Sequence, residues 1–256
     1  MRTFALVNQK GGCGKTTAAI NWAGALAARR RRVLLVDLDP QAHATMGLGV
    51  SADHEPSLID VLRAEATVDE ALVCCKGGVW LLPANARLGE FEEQSERTIQ
   101  PEGLLAKQLG EMCSAFDEVV LDCPPRVDGV LAANALRAAQ TAVLVVETGA
   151  FALQGAVQAL RVLDDMRTDR GEEFDVAVLG TLFDRRTNFA RELLVALHAR
   201  FGEEMFETVI RTSVRLREAA ACGVPVQVLD PACRATEDFD ALAGEWLARE
   251  ATAFAH

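Results

Sequence analysis

Short runs of apolar and β-branched residues alternate along the chain with longer stretches in which apolar residues recur at helical spacing. The runs at 3–8, 33–37, 79–82, 118–122, 141–147, 176–183, 207–211 and 225–229 read as strands. The stretches at 15–30, 57–73, 101–115, 129–139, 151–168, 188–201, 213–221 and 235–253 read as helices. That alternation predicts an α/β fold, a mostly parallel twisted sheet with helices on both faces. No internal repeat, low-complexity tract or linker divides residues 1–256, so a single domain is expected. Ser57, with Asp60 three residues on, reads as a helix cap, and Gly223-Val224-Pro225 as a helix stop. Four consecutive arginines, Arg29 to Arg32, close the first predicted helix, where positive charge complements the helix dipole.

Composition narrows the function classes. Half of the 256 residues are hydrophobic, enough for one large core. The net charge of −11 argues against a protein that coats nucleic acid with its whole surface. Seven cysteines, with no C-x-x-C pair, indicate neither a disulfide framework nor a zinc knuckle and fit a reducing cytoplasm. The amino end runs into the first strand without a charged-then-apolar leader, and no apolar run approaches a membrane span, so export and membrane insertion are not expected.

The chemistry centres on Asn8-Gln9-Lys10-Gly11-Gly12-Cys13-Gly14-Lys15-Thr16-Thr17, a loop between the first strand and the first helix. Glycines let the backbone turn with its N–H groups inward, Lys15 supplies charge for β- and γ-phosphates, and the Thr16 hydroxyl suits Mg²⁺. The pattern G-x-x-x-x-G-K-[ST] lacks its first glycine, because Gln9 stands there. A second lysine, Lys10, opens the loop instead, in a chain that has four lysines against twenty-two arginines. Asp37-Leu38-Asp39-Pro40-Gln41 follows the second strand at the carboxyl edge, where open α/β sheets bind ligands. The apolar strand ending in Asp122-Cys123-Pro124-Pro125 has the form that holds a Mg²⁺ shell. None of the five asparagines begins Asn-Lys-x-Asp, which favours ATP over GTP.

Together these motifs resemble the deviant Walker A ATPases of the P-loop NTPase fold, and most closely the ParA/Soj partition branch. The similarity continues through Ala152-Leu153-Gln154-Gly155, Phe183-Asp184-Arg185-Arg186-Thr187-Asn188, Val214-Arg215-Leu216-Arg217-Glu218-Ala219 and Gly223-Val224-Pro225-Val226, and so spans nearly the whole chain. The resemblance implies an ATP- and Mg²⁺-dependent ATPase that dimerises around two sandwiched nucleotides. Lys10 would reach the partner's ATP, while Lys15 and the N–H groups of Gly11, Gly12, Cys13, Gly14, Thr16 and Thr17 hold the phosphates. Thr16 would bind Mg²⁺ directly and Asp122 through water, with Asp37 nearby, and Asp39 would orient the attacking water. Slow turnover stimulated by a ParB-like or cargo-adaptor protein is expected, in a cytoplasmic, nucleoid-associated protein. Ile210-Arg211-Thr212-Ser213 stands where relatives carry Ile-Pro-x-Asn beside adenine, so Arg211 and Ser213 are the base-side candidates. Cys13 reads as a small packing residue of the loop.

The family also implies non-specific DNA binding through arginines matching Arg186 and Arg215. Residues 185–217 hold seven arginines against four glutamates, a basic island on an acidic chain. Two alternatives remain. A MinD-like membrane-cycling ATPase would need a basic amphipathic carboxyl end, but residues 237–256 carry five acids and one arginine. A metabolic or electron-transfer relative, such as the nitrogenase iron protein, would need cluster cysteines in glycine-rich loops, which Cys113 and Cys123 do not occupy.

Overall fold

The computed structural model describes residues 1–94, 101–112, 114–149, 151–170, 173–184 and 186–253. Arg185 and Cys113, both singled out from the sequence, lie outside them. Among the described residues seven strands form one sheet: β1 (Arg2–Val7), β2 (Val33–Asp37), β3 (Val73–Cys74), β4 (Val79–Leu82), β5 (Glu118–Asp122), β6 (Thr141–Glu147) and β7 (Asp175–Thr181). Their spatial order is β3-β4-β2-β5-β1-β6-β7, and every pairing is parallel except that of the short edge strand β3.

Along β1, Phe4 and Leu6 pack on one face of the sheet and Ala5 and Val7 on the other. Both faces are covered, and this is why the strands read as unbroken apolar runs rather than alternating ones. One face carries α1 (Lys15–Ala28) and α12 (Arg234–Ala253), whose Phe239, Leu242 and Trp246 close over Phe4 and Trp22. The other carries α3 (Leu58–Leu62), α6 (Leu104–Gly110) and α7 (Val130–Ala138). A third cluster lies between β6, β7, α8 (Ala152–Arg170) and α9 (Asn188–Phe201).

Several local expectations need correction. Residues 207–211 form no strand: the chain runs extended beside β7 with only isolated bridges, Val178 to Met205 and Phe183 to Arg211. Residues 225–229, whose alternation suggested a strand, form the short helix α11 (Val226–Leu229), begun by Pro225 at φ −61° and anchored by Asn21, which accepts from the Val226 N–H. Helix 57–73 is broken into α3 and α4 (Val68–Ala71), with Ala64 between them at φ 56°. Helices α2 (His43–Gly47) and α5 (Leu88–Gln94) were not anticipated.

The caps were better foreseen. The Asp60 carboxylate accepts from the Ser57 N–H and hydroxyl, and Arg87 pairs with it. Gly223 ends α10 (Val214–Ala221) at φ 65°; a Cβ there would lie 2.6 Å from Gly49 Cα, so the turn and the close approach both require glycine. Three of the four arginines after α1 are not merely solvated. Arg29 pairs with Asp240, Arg31 with buried Glu118, and Arg32 with Asp117.

Candidate nucleotide site

The strand order decides what meets at the carboxyl edge. Because β5 lies between β1 and β2, Asp37 stands level with Asp122, and Asp122 level with Leu6 just before the loop. Three segments far apart in sequence therefore deliver the loop of residues 8–17, the pair Asp37 and Asp39, and Asp122 to one place.

The loop turns through Gly12 (φ 80°) and Gly14 (φ 90°), left-handed conformations that cost other residues about 1–2 kcal/mol. A Cβ built on Gly11 or Gly12 would meet nothing within 4 Å. Packing within this chain does not demand those two glycines; the open space leaves backbone N–H groups accessible to a bound anion. The loop is fastened at its middle. Thr181, at the end of β7, donates from its buried hydroxyl to the Cys13 carbonyl at 2.6 Å. Cys13 is wholly buried, and burial pushes its thiol pKa up, so it acts as the packing residue expected.

The two lysines point to different places. Lys15 is buried at the start of α1, with its ammonium 3.4 Å from the Lys10 carbonyl, inside a cavity of about 640 Å³ that Thr16, Thr17 and Asp39 also line. The Lys10 side chain is 63% exposed and pairs with Glu147 at the end of β6. It stands outside the cavity that Lys15 serves.

The carboxylates also divide. Asp37 is fully satisfied: it accepts from Thr45 N–H at 2.8 Å, the Thr45 hydroxyl at 2.7 Å and Asp39 N–H at 3.1 Å. The Thr45 hydroxyl in turn accepts from Ala84 N–H, so Asp37 ties α2 and the end of β4 to the sheet edge. Among the described residues neither oxygen of buried Asp122 has a donor at ordinary hydrogen-bond geometry, although the Thr16 hydroxyl lies close enough to favour its charged form. Burial raises its pKa well above the usual carboxylate range and the neighbouring Asp37 adds to that, while the Thr16 hydroxyl and Lys15 ammonium oppose it. A buried carboxylate so poorly supplied with donors is costly, and the Asp122 carboxylate with the Thr16 hydroxyl makes an oxygen donor set that would suit a divalent cation. Among the described residues Asp37 meets three protein donors, whereas Asp122 has only the Thr16 hydroxyl near it. Asp39 accepts from Gln41 N–H at 2.9 Å through Oδ1 and lines the cavity with its carboxylate.

A second cleft, of about 1020 Å³, adjoins this cavity across Thr17. Arg211 and Ser213 line it with Phe183. The Arg211 guanidinium is already held by Asp238 and the Arg234 carbonyl, and Ser213 caps α10 by accepting from Arg215 N–H. Arg186 is 88% exposed and forks onto Asp184, which holds that carboxyl down at about 2. Arg215 pairs with Glu218 and Asp230. Sequence reasoning missed Thr181, Thr45 and Glu147, whose partners lie 168, 8 and 137 residues away along the chain.

An open ring of N–H groups, a lysine within it and an unsatisfied aspartate on the next strand suit a nucleoside triphosphate with its metal, and the sheet order places them as in a P-loop ATPase. Comparison with known proteins gives the branch. A family model described as AAA domain (AAA_31) matches residues 1–176. The chromosome partitioning protein ParA of Caulobacter vibrioides is 35% identical over 255 residues, 98% of this chain and 95% of that one. The chromosome-partitioning ATPase Soj of Thermus thermophilus is 39% identical over 250 residues, 97% of this chain and 96% of that one. The chain belongs to the ParA/Soj family of partitioning ATPases. A crystal structure of cobyrinic acid a,c-diamide synthase from Mycobacterium smegmatis with bound ATP analog and magnesium shares the fold. It has TM-score 0.85 and 31% identity and covers 96% of this chain and 94% of that one.

Proposed function

We propose that this protein is an ATP- and Mg²⁺-dependent switch that dimerises around ATP, binds duplex DNA without sequence preference in that state, and segregates a replicon or positions a protein cargo. The observation that carries the reading is the placement of the two loop lysines. Lys15 lies in its own cavity, whereas Lys10 leaves the same loop at the surface, beside the carboxyl edge. From there it is free to reach the nucleotide of a second copy once Glu147 lets go. Such a contact makes nucleotide state and dimer state one equilibrium.

The chemistry asked of the chain is positioning and charge neutralisation. Lys15 and the N–H groups of residues 11–17 hold the phosphates. The Thr16 hydroxyl and Asp122 would hold Mg²⁺, which would neutralise phosphate charge, and Asp37 fixes the segment that carries Asp39. Asp39 accepts a hydrogen bond from the attacking water and so aligns it. A ParB-like or cargo-adaptor protein would accelerate this step and release the DNA, which places the cycle in the cytoplasm on the nucleoid.

Membrane cycling is less well supported. The apolar face of α12 packs against α1 and the sheet, and no described helix is long and apolar enough to cross a membrane. A metabolic reading rests only on the similarity to the Mycobacterium smegmatis cobyrinic acid a,c-diamide synthase. A gel shift on arbitrary duplex DNA separates these: with ATP and Mg²⁺ at low salt the protein retards DNA, and with ADP it does not. No retardation with ATP would refute the reading.

A further inference from the structure

The strand that ends in Asp122 leads into a segment whose charges the site has not used, Cys123-Pro124-Pro125-Arg126-Val127-Asp128-Gly129. Two side chains pin it: Cys123 and Val127 are each 2% exposed and join the core cluster that α7 covers. Between and beyond those anchors, Pro125, Arg126 and Asp128 are exposed. Pro125 lines the nucleotide cavity together with Lys15, Thr16 and Asp39. Arg126 is the next residue, its Cα about 3.8 Å further along the chain, so its long side chain starts at the rim of that cavity. Among the described residues its carboxylate partner is Asp128, 3.4 Å from Nε, and both side chains are largely exposed. Water screens such a pair, so it holds weakly. The arginines around the neighbouring cleft are held more closely, Arg211 by Asp238 at 2.9 Å and Arg186 by Asp184 at 2.7 Å.

We propose that Arg126 is a catalytic residue of this ATPase: it swings from Asp128 to the γ-phosphate in its own cavity and stabilises the transferring phosphoryl group. Asp128 is the latch that holds it away between turnovers. The inference deepens the hydrolysis reading above and rests on it. Among the described residues that line the cavity, Lys15 is the one lysine or arginine, and Asp39 adds negative charge to that of a triphosphate. In hydrolysis the water oxygen bonds to the γ-phosphorus as the bond from that phosphorus to the β,γ-bridging oxygen breaks. ADP leaves with the electron pair, and both water protons leave with inorganic phosphate. Negative charge gathers meanwhile on the phosphoryl oxygens and the bridging oxygen, where a second cation counts most. The guanidinium suits that place because it stays protonated and can present two N–H groups at once. A partner protein that offered Asp128 a different cation would free the arginine and raise the slow basal rate.

The test compares kcat, measured as phosphate release, with the affinities for ATP and for ADP with aluminium fluoride, a mimic of the phosphoryl group in transfer. Arg126→Ala should lower kcat about 10²- to 10³-fold and weaken the aluminium fluoride complex by a similar factor, with ATP affinity changed less than about twofold. Asp128→Asn should raise kcat, and adding Arg126→Ala to it should return the rate to that of Arg126→Ala alone. Wild-type kcat and analogue affinity in Arg126→Ala would overturn the assignment and leave the ATPase reading in place. An equal loss of affinity for ATP and for the analogue would also overturn it, by making Arg126 a ground-state binding group. Absence of hydrolysis by the wild-type protein would overturn both.

Discussion

Thr181 is the residue through which the fold reaches the phosphate loop, and Thr181→Val tests that link. Thr181 is 2% exposed, and its hydroxyl donates at 2.6 Å to the Cys13 carbonyl, with the Val146 carbonyl as a longer alternative at 3.4 Å. Valine keeps the shape but removes the donor, leaving a buried carbonyl unsatisfied in the middle of the loop. A loss of that kind costs about 1–3 kcal/mol, or about five- to 150-fold in an equilibrium constant. Part of the cost should appear as a lower unfolding temperature. The rest should appear as weaker ATP binding, because the loop must be ordered before its N–H groups converge on phosphate. Thr148→Val is the control: the Thr148 hydroxyl bonds to the Leu182 carbonyl at 3.2 Å on the exposed side of the same corner, where water replaces it. Equilibrium titration with a fluorescent ATP analogue, beside thermal denaturation, measures both effects. If Thr181→Val matched wild type in both, the claim that β7 pins the loop would be wrong.

Three further outcomes follow from the site. Lys15→Ala should abolish ATP binding in the same titration, since the ammonium lies inside the cavity and no other described side chain there is cationic at that position. Asp39→Ala should bind ATP but lose hydrolysis, measured as phosphate release; turnover at the wild-type rate would remove Asp39 from the role given it. Asp122→Asn addresses the buried carboxylate. A carboxyl with a raised pKa in the folded state holds a proton that the unfolded chain has released, so its contribution to stability is greatest at low pH and is lost as pH rises through the folded value. In a chelator, the drop in unfolding temperature between pH 5 and pH 8 should therefore be smaller in Asp122→Asn than in wild type, and the stabilisation that Mg²⁺ with ATP gives the wild type should vanish.

The parts of the site that the sequence reveals are those whose chemistry is local. Loop 8–17 carries its glycines, lysines and threonine in one stretch, and β2 and β5 announce their aspartates by apolar runs that stop at a charge. What was hidden depends on neighbours brought by the sheet. Asp37 and Asp122 look alike in sequence, each ending an apolar strand, yet Thr45 satisfies one while the other, among the described residues, has only the Thr16 hydroxyl near it. Thr181 and Glu147 are unremarkable at the ends of their strands until strand order sets them beside the loop. Residues 225–229 alternate like a strand, but Pro225 and the amide of Asn21 hold them as a helical turn. Residues 207–211 are extended without a ladder to join.

The central claim is that Lys10 makes the dimer depend on the nucleotide, and sedimentation of the wild-type protein and Lys10→Ala with ATP and Mg²⁺ or with ADP and Mg²⁺ tests it most directly. The account predicts a dimer only for wild type with ATP, and monomers in the other three samples. An ATP-dependent dimer of Lys10→Ala would contradict it.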